Sequence, residues 1–284
     1  MEKSAKHVSP LLWVFSIIFV FFIKPLFLNV SFQDPANFHY DLMWGIPTLV
    51  NIVSSFYDTA HTPFWYIHQN MGVPIAGWYL PAIFHPLVLL FGGFKVGTTT
   101  ALLSFFNMEL LALFSFLVFR RAGASEWGSA AAALLAAISG FIPWLNAVYE
   151  IANALPWIMC WLWTCMEIND RPRLSFFAGN AVAVFFLLIS GDAQLVVLSA
   201  YLLPAWLLLY VLKARYPIKT IARSLAILCA AAAAAWIMSS CQIIPALLFF
   251  DKAVTTRTPE LAEYLNTYPR VHEILLAGGG LFTR

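Results

Sequence analysis

Seven long apolar stretches constrain this chain more than any other feature of its sequence. A helix needs about 20 mostly apolar residues to cross the ~30 Å hydrocarbon core of a bilayer, because backbone polar groups left unpaired in lipid are costly. The stretches that approach this length and composition are 8–28, 98–119, 127–145, 154–168, 174–190, 195–212 and 221–250. The sequence therefore predicts an all-α membrane helix bundle with about seven crossings, forming a single domain over residues 1–284.

Composition excludes a water-soluble globule. Of the 284 residues, 61% are hydrophobic and 11% are charged, whereas a soluble domain carries about 25% charged residues. The net charge of +2 gives no reason to expect a nucleic-acid partner. The four cysteines lie in apolar runs, without the spacing of a zinc site or a disulfide framework. We expect a multi-pass protein of the cell membrane, with membrane lipid around it.

The basic residues predict which helix ends face the cytoplasm. The segment 79–94 is apolar but interrupted by prolines and glycines. If it does not cross the membrane, ten of the 16 Lys and Arg residues fall on the same side of the membrane. They are Lys3, Lys6, Arg120, Arg121, Arg171, Arg173, Lys213, Arg215, Lys219 and Arg223. Because cytoplasmic loops are rich in Lys and Arg, we predict a cytoplasmic amino terminus, a large outer loop over 29–97, and an interfacial or re-entrant segment at 79–94.

Polar side chains gather at the predicted outer ends of the helices. The outer loop carries His39 and Asp41 at the start of an amphipathic stretch, 40–57. Further outer-end residues are Glu150, Asp192, Gln194, Gln242, Lys252 and Arg257. Polar groups at membrane depth are costly, so several at one level indicate a shared wet cavity. Each also has a structural explanation, because acids and amides commonly cap helix ends.

Short motifs along the chain resemble the YfhO family of bacterial membrane proteins, in the same order and with similar spacing. Residues 63–65, 72–74 and 84–87 resemble its "PLWNP", "GGYPL" and "FYPL" stretch, and Asp41 stands where that family has its first-loop aspartate. Later, 120–123 resembles the "RRLG" turn, 139–141 the "SGF" motif, 191–194 the "GHPQ" turn, and 242–245 with Arg257 the "QLLP" and "SR" motifs. Family members continue for several more helices, so we expect this chain to correspond to an amino-terminal part.

The resemblance implies a GT-C-type glycosyltransferase that moves a sugar from a polyprenyl-phosphate donor to a cell-envelope polymer or glycolipid on the outer face. It implies Asp41 as the general base, and Lys252 and Arg257 as the residues that hold the lipid phosphate. Gln194 and Gln242 would line the sugar cavity. His39, Glu150 and Asp192 complete the substrate-binding residues that we expect from the outer polar set.

No cofactor is predicted, because the outer loop has no ligand signature that would support a divalent metal. Two other functions remain open. A transporter or lipid flippase is suggested by Glu109, which lies in the middle of the second stretch, and by the Ala-rich stretches, whose small residues let helices pack closely. The third alternative is a non-catalytic subunit of an envelope-assembly complex.

Overall fold

The computed structural model describes residues 9–28, 65–66, 73–74, 84–138, 149–190, 195–201, 204–205 and 216–255. These residues form eight helices and one pair of two-residue strands. The helices are α1 (Pro10–Leu28), α2 (Pro86–Phe91), α3 (Val96–Arg121), α4 (Glu126–Ile138), α5 (Tyr149–Asp170), α6 (Leu174–Leu188), α7 (195–201) and α8 (Ile218–Thr255). Strands β1 (Trp65–Tyr66) and β2 (Val73–Pro74) pair antiparallel inside the predicted outer loop. Apart from this pair, the all-α prediction is confirmed for the described residues.

Each of the seven predicted stretches overlaps one of these helices, and two helices are long and apolar enough to cross a membrane. The two candidate spans are Ala101–Arg121 in α3 and Ile218–Pro245 in α8. Shorter apolar helical segments cover Pro10–Ile23, Glu126–Ile138 and Leu174–Leu188. Two candidate spans are weak evidence for a membrane location, so the seven crossings stay a prediction.

Exposure distinguishes α8 from the core helix of a soluble protein. Only 17% of its candidate span is buried, compared with 44% for α3. Large apolar side chains such as Trp236, Ile237 and Leu248 are at least half exposed on its surface. Burying such side chains normally contributes about 1.5–3 kcal/mol each in water, so an apolar face of this extent is unfavourable in water and favourable in lipid.

Helix α3 lies at the centre of the described bundle. It packs against α1 and α4 on one side and against α5 on the other, α5 packs against α6, and α6 packs against α8. Along the α1, α3 and α4 contact, each helix presents a ridge of buried residues at spacings of three or four. These residues are Val14, Ile18 and Phe22; Met108, Ala112 and Phe116; and Ala130, Ala133 and Ala137. The alanines of α4 leave room for the larger side chains of α1, which is how small residues promote close helix packing in membranes.

The turn between α3 and α4 is specified locally. Gly123 has a φ of 98°, a left-handed conformation that glycine adopts without a steric penalty. The Ala124 amide donates back to the Phe119 carbonyl at 3.0 Å, which is the bond pattern of a glycine-terminated helix. Ser125 Oγ then accepts from the Gly128 amide at 3.0 Å and caps α4. These caps reverse the chain within four residues.

Candidate functional site

Most of the predicted site residues lie outside the part of the chain that the structure describes. They are His39, Asp41, Asp192, Gln194 and Arg257. Glu150 falls in the first turn of α5 and Lys252 in the last turn of α8, and only the helical backbone is described at these two positions. The convergence of these residues on one outer cavity stays a prediction.

Gln242 is described, and it is buried. It is 1% exposed and ends a stripe of small buried residues along α8, which contains Ser224, Ala231, Ala235 and Ser239. Helix α8 continues through Pro245 to Thr255, so the chain does not break at this proline. Because α8 packs mainly against α6, Gln242 belongs to a helix interface. Its predicted role in lining a sugar cavity is not tested by this position.

A second stripe, on α5, is more polar and extends along most of this helix. It consists of Asn153, Trp157, Cys160, Thr164 and Glu167, whose spacings of four, three, four and three residues place them on one helix face. We call this set the α5 polar stripe. Four of its five side chains form a polar contact with another element, and these contacts follow one another from one end of α5 to the other.

At one end of the stripe, two buried amides pair across α3 and α5. Asn107 Nδ2 donates to Asn153 Oδ1 at 2.7 Å, and the two residues are 3% and 0% exposed. The remaining amide atoms, Asn107 Oδ1 and Asn153 Nδ2, are buried and have no hydrogen-bond partner among the described residues. A buried polar group without a partner costs about 1–3 kcal/mol of stability, so these two unpaired atoms destabilise the folded bundle.

One turn further along α5, Trp157 holds the start of α2. Its Nε1–H donates to His85 Nε2 at 3.0 Å, and the rings of Trp157 and Phe186 lie 4.3 Å apart, so that His85 is enclosed between α5 and α6. His85 is 0% exposed. Because Nε2 accepts this bond, the neutral imidazole carries its proton on Nδ1. His85 Nδ1 has no partner within the described chain.

The contacts at its two ends define the course of α2. At its end, the Phe91 carbonyl accepts from Thr99 Oγ1 at 2.8 Å, and the Phe91 ring stacks on Phe106. At its start, His85 lies beside Trp157, which is ten residues, or about 15 Å, from Glu167 near the other end of α5. Six helical residues rise only about 9 Å, which is too short to cross a bilayer. The described part of segment 79–94 therefore starts between α5 and α6 and leads back to the beginning of α3. The interfacial or re-entrant placement of this segment in a membrane stays a prediction.

Beyond Cys160, the stripe contacts α6. Asn180 Nδ2 lies 3.0 Å from Thr164 Oγ1 and 3.4 Å from Cys165 Sγ. Thr164 Oγ1 in turn donates to backbone carbonyls of its own helix, Cys160 and Trp161. The polar contacts between α5 and α6 thus continue the line of hydrogen-bonding groups.

The stripe ends in an ionic cluster. Arg121 Nε lies 3.1 Å from Glu167 Oε1, Arg121 also pairs with Asp170, and the Tyr216 hydroxyl donates to Asp170. These contacts bring the end of α3, the end of α5 and the approach to α8 together. The basic residues of this region are Arg120, Arg121, Arg171, Arg173, Lys219 and Arg223. We call it the basic end of the bundle.

Glu109 is separate from the α5 polar stripe. It follows Asn107 by two positions, which is about 200° around α3, so it lies on a different face from the Asn107–Asn153 pair. Its Oε2 is buried without a partner among the described residues. Over the same residues, no group of three or more His, Cys, Asp or Glu could hold a metal ion.

No protein-family model, curated protein or solved structure matches this chain. These comparisons give the resemblance to the YfhO family no support, and the activity and site residues taken from it stay proposals.

The α5 polar stripe was not predicted as a unit. His85 was noted only as part of a motif that resembles the YfhO family, and no role was predicted for Trp157, Thr164 or Glu167. The spacing of these residues is visible in the sequence. Two residues of the stripe, Trp157 and Cys160, are also compatible with a plain apolar helix face. The polar pattern is therefore recognised only when the partners on α2, α3 and α6 are known.

Proposed function

We propose that the chain is a multi-pass membrane protein with seven crossings, and that its basic end faces the cytoplasm. Two candidate spans and the exposed apolar face of α8 support the membrane location. The concentration of Arg and Lys at one end supports the orientation, because such residues are retained on the cytoplasmic side. Helix α2 and the Asn107–Asn153 pair then lie toward the outer half.

On the outer face, we propose transfer of a sugar from a polyprenyl-phosphate donor to a hydroxyl of a cell-envelope polymer or glycolipid. Asp41 takes the proton of this hydroxyl, and the hydroxyl oxygen forms a bond to the anomeric carbon. The bond between that carbon and the phosphate oxygen breaks, and the electron pair leaves with the polyprenyl phosphate. Lys252 and Arg257 offset the charge that grows on the phosphate. Gln194 and Gln242 contact the sugar, with His39, Glu150 and Asp192 nearby.

The observation that best supports this proposal is the docking of α2. The predicted outer loop, which carries Asp41, leads into α2, and His85 is enclosed between Trp157 and Phe186. The end of a long loop is thereby fixed against the interior of the bundle. Loops held on a rigid scaffold commonly carry catalytic residues.

Replacement of Asp41 by Asn tests the activity. Transfer of a radiolabelled sugar from a polyprenyl-phosphate donor is measured in membranes that contain equal amounts of each variant. We expect the rate to fall by about 10²- to 10⁴-fold, the usual contribution of a general base. Asp58→Asn, in the same loop, is the matched control and should leave transfer unchanged. Undiminished transfer by Asp41→Asn excludes Asp41 from the mechanism.

A transporter or flippase is the second candidate, because the α5 polar stripe and Glu109 place hydrogen-bonding groups within the helix bundle. Such groups at membrane depth commonly mark substrate pathways. Reconstitution into liposomes separates the two functions. Movement of a lipid-linked sugar between leaflets without transfer to an acceptor supports transport, whereas acceptor-dependent product supports the transferase.

A further inference from the structure

Three polar atoms, on α3, on α5 and at the start of α2, are buried without partners among the described residues, and together they have a defined hydrogen-bonding character. Asn153 Nδ2 is a donor and Asn107 Oδ1 is an acceptor. They lie side by side because their amide groups are in direct contact. His85 Nδ1 is a second donor, because Trp157 fixes the tautomer. None of the three atoms has a hydrogen-bond partner among the described residues.

These atoms occupy the same side of α5. Asn153 and Trp157 are separated by one helical turn, which places their side chains one above the other. His85 contacts Trp157 directly. The surrounding surface is aromatic, since Phe114 and Phe186 both pack on the Trp157 ring. A group of donors and an acceptor is therefore bordered by apolar rings.

This environment selects a class of ligand. The three residues supply two donors and one acceptor without a formal charge, which suits a hydroxyl group because a hydroxyl both donates and accepts. An ionic ligand would lose its hydration here without meeting an opposite charge. Aromatic rings can cover the apolar faces of a molecule that also carries hydroxyls. The chemistry favours a neutral, polyhydroxylated molecule.

We propose that His85, Asn107 and Asn153 form a binding site for a neutral polyhydroxylated ligand, and that α2 closes this site in the present structure. Trp157 Nε1–H donates to His85 at the start of α2, and Thr99 Oγ1 donates to the Phe91 carbonyl at its end. The second contact is next to Gly92 and Gly93, where the chain turns into α3. We expect loss of the Trp157 hydrogen bond to loosen the start of α2 and to make the site accessible. The site does not require sugar transfer at Asp41.

Cys160 provides a natural probe because it lies on the α5 polar stripe, one turn beyond Trp157, and is buried. The experiment uses the full chain with Cys165, Cys229 and Cys241 replaced by Ala. Labelling by 2-hydroxyethyl methanethiosulfonate, a neutral reagent with a hydroxyl, is compared with labelling by the anionic 2-sulfonatoethyl reagent. Mass spectrometry measures the rate. A second background, which keeps only Cys165, is the control because Cys165 faces a different side of α5.

Trp157→Phe removes the Nε1–H donor and keeps an aromatic ring. We expect it to raise the rate of neutral labelling at Cys160 at least tenfold, with little change for the anionic reagent and none at Cys165. His85→Phe, which removes the acceptor, should give the same result, and the thermal unfolding midpoint of each variant verifies folding. Equal rates at Cys160 in the parent and in both folded variants would overturn the closure by α2.

Protection tests the ligand. D-glucose and glycerol, two neutral polyols, are added to the Trp157→Phe protein during labelling. We expect at least one to slow the neutral reaction at Cys160 several-fold, and the protection to disappear in a variant that also carries Asn107→Leu and Asn153→Leu. Absence of protection by both polyols, or protection that survives the two Leu substitutions, refutes the binding site. Loss of sugar transfer in Asp41→Asn has no effect on this readout, so the two proposals fail separately.

Discussion

The Asn107–Asn153 pair makes a quantitative prediction about the bundle. Each residue is replaced by Leu, which has a similar size and shape, singly and together. A single substitution removes the 2.7 Å hydrogen bond and leaves the bonded atom of the other amide without its partner. Each single substitution also removes one amide atom that is already unpaired among the described residues, so the number of unpaired atoms does not change. Hydrogen bonds between membrane helices contribute about 0.6 kcal/mol on average and at most about 1.7. We expect each single variant to lose about 1 kcal/mol of unfolding free energy.

The double variant should behave differently. Replacing both partners by apolar groups of the same shape leaves no unpaired amide, and such exchanges are nearly neutral or stabilising. It also removes Asn107 Oδ1 and Asn153 Nδ2, which are unpaired among the described residues already. We therefore expect the double variant to be more stable than either single variant, by about 1 kcal/mol or more. The coupling free energy of the cycle is then several times the ~0.3–0.5 kcal/mol within which independent sites add.

Reversible unfolding in mixed micelles, with increasing SDS and the helical circular-dichroism signal as readout, measures these free energies. Asn169→Leu is the control, because Asn169 Nδ2 donates to the Cys165 carbonyl of its own helix. Combined with Asn107→Leu, it should give additive losses. Additivity within about 0.5 kcal/mol for Asn107→Leu and Asn153→Leu as well would mean that the two amides do not interact, and would refute the reasoning.

Three further predictions concern stability and use the same assay. Ala133→Leu, in the buried α4 ridge, should lower the unfolding free energy by about 1–3 kcal/mol because the larger side chain overpacks against α1. Ala131→Leu, on the exposed face of α4, should be nearly neutral. Equal effects of the two substitutions would contradict the packing of α1 on α4. Arg121→Ala removes the cation between two carboxylates and should lower the unfolding free energy by about 1–2 kcal/mol, with partial exposure taken into account. Arg120→Ala removes one exposed hydrogen bond to a carbonyl and should change the unfolding free energy by no more than about 0.5 kcal/mol. Similar losses in the two variants would exclude the ionic cluster as a stabilising element. Gly123→Ala should cost about 1 kcal/mol because alanine is strained at a φ of 98°, and an unchanged midpoint would argue against this turn geometry.

The sequence predicted the helices well because their signals are local. An apolar run of the right length indicates a helix wherever it packs, and each predicted stretch overlaps one. The turn after α3 was also readable, since Gly123 and Ser125 provide the expected stop and start signals. A proline such as Pro245 can end or kink a helix, so the sequence leaves open whether the last stretch breaks there. The structure continues α8 through Pro245 to Thr255.

Segment 79–94 was harder to interpret. Its prolines and glycines left a crossing ambiguous, and the distribution of Lys and Arg favoured a segment that does not cross. Neither signal could specify where the segment packs. In the structure its described part packs through His85, which is enclosed by Trp157 and Phe186 from two helices that follow much later in the chain.

The sequence by itself determined the apolar stretches, the helices within them and the grouping of basic residues, because each depends on composition or on neighbours along the chain. Only the tertiary structure decided that Asn153, Trp157, Thr164 and Glu167 form one continuous polar line, since each needs a partner that is 16 to 72 residues away in sequence. In an apolar interior, a hydrogen bond depends on whether a donor and an acceptor meet. Helix packing decides which donors and acceptors come within hydrogen-bonding distance. The residue spacing within one helix indicates only which side chains lie on the same face.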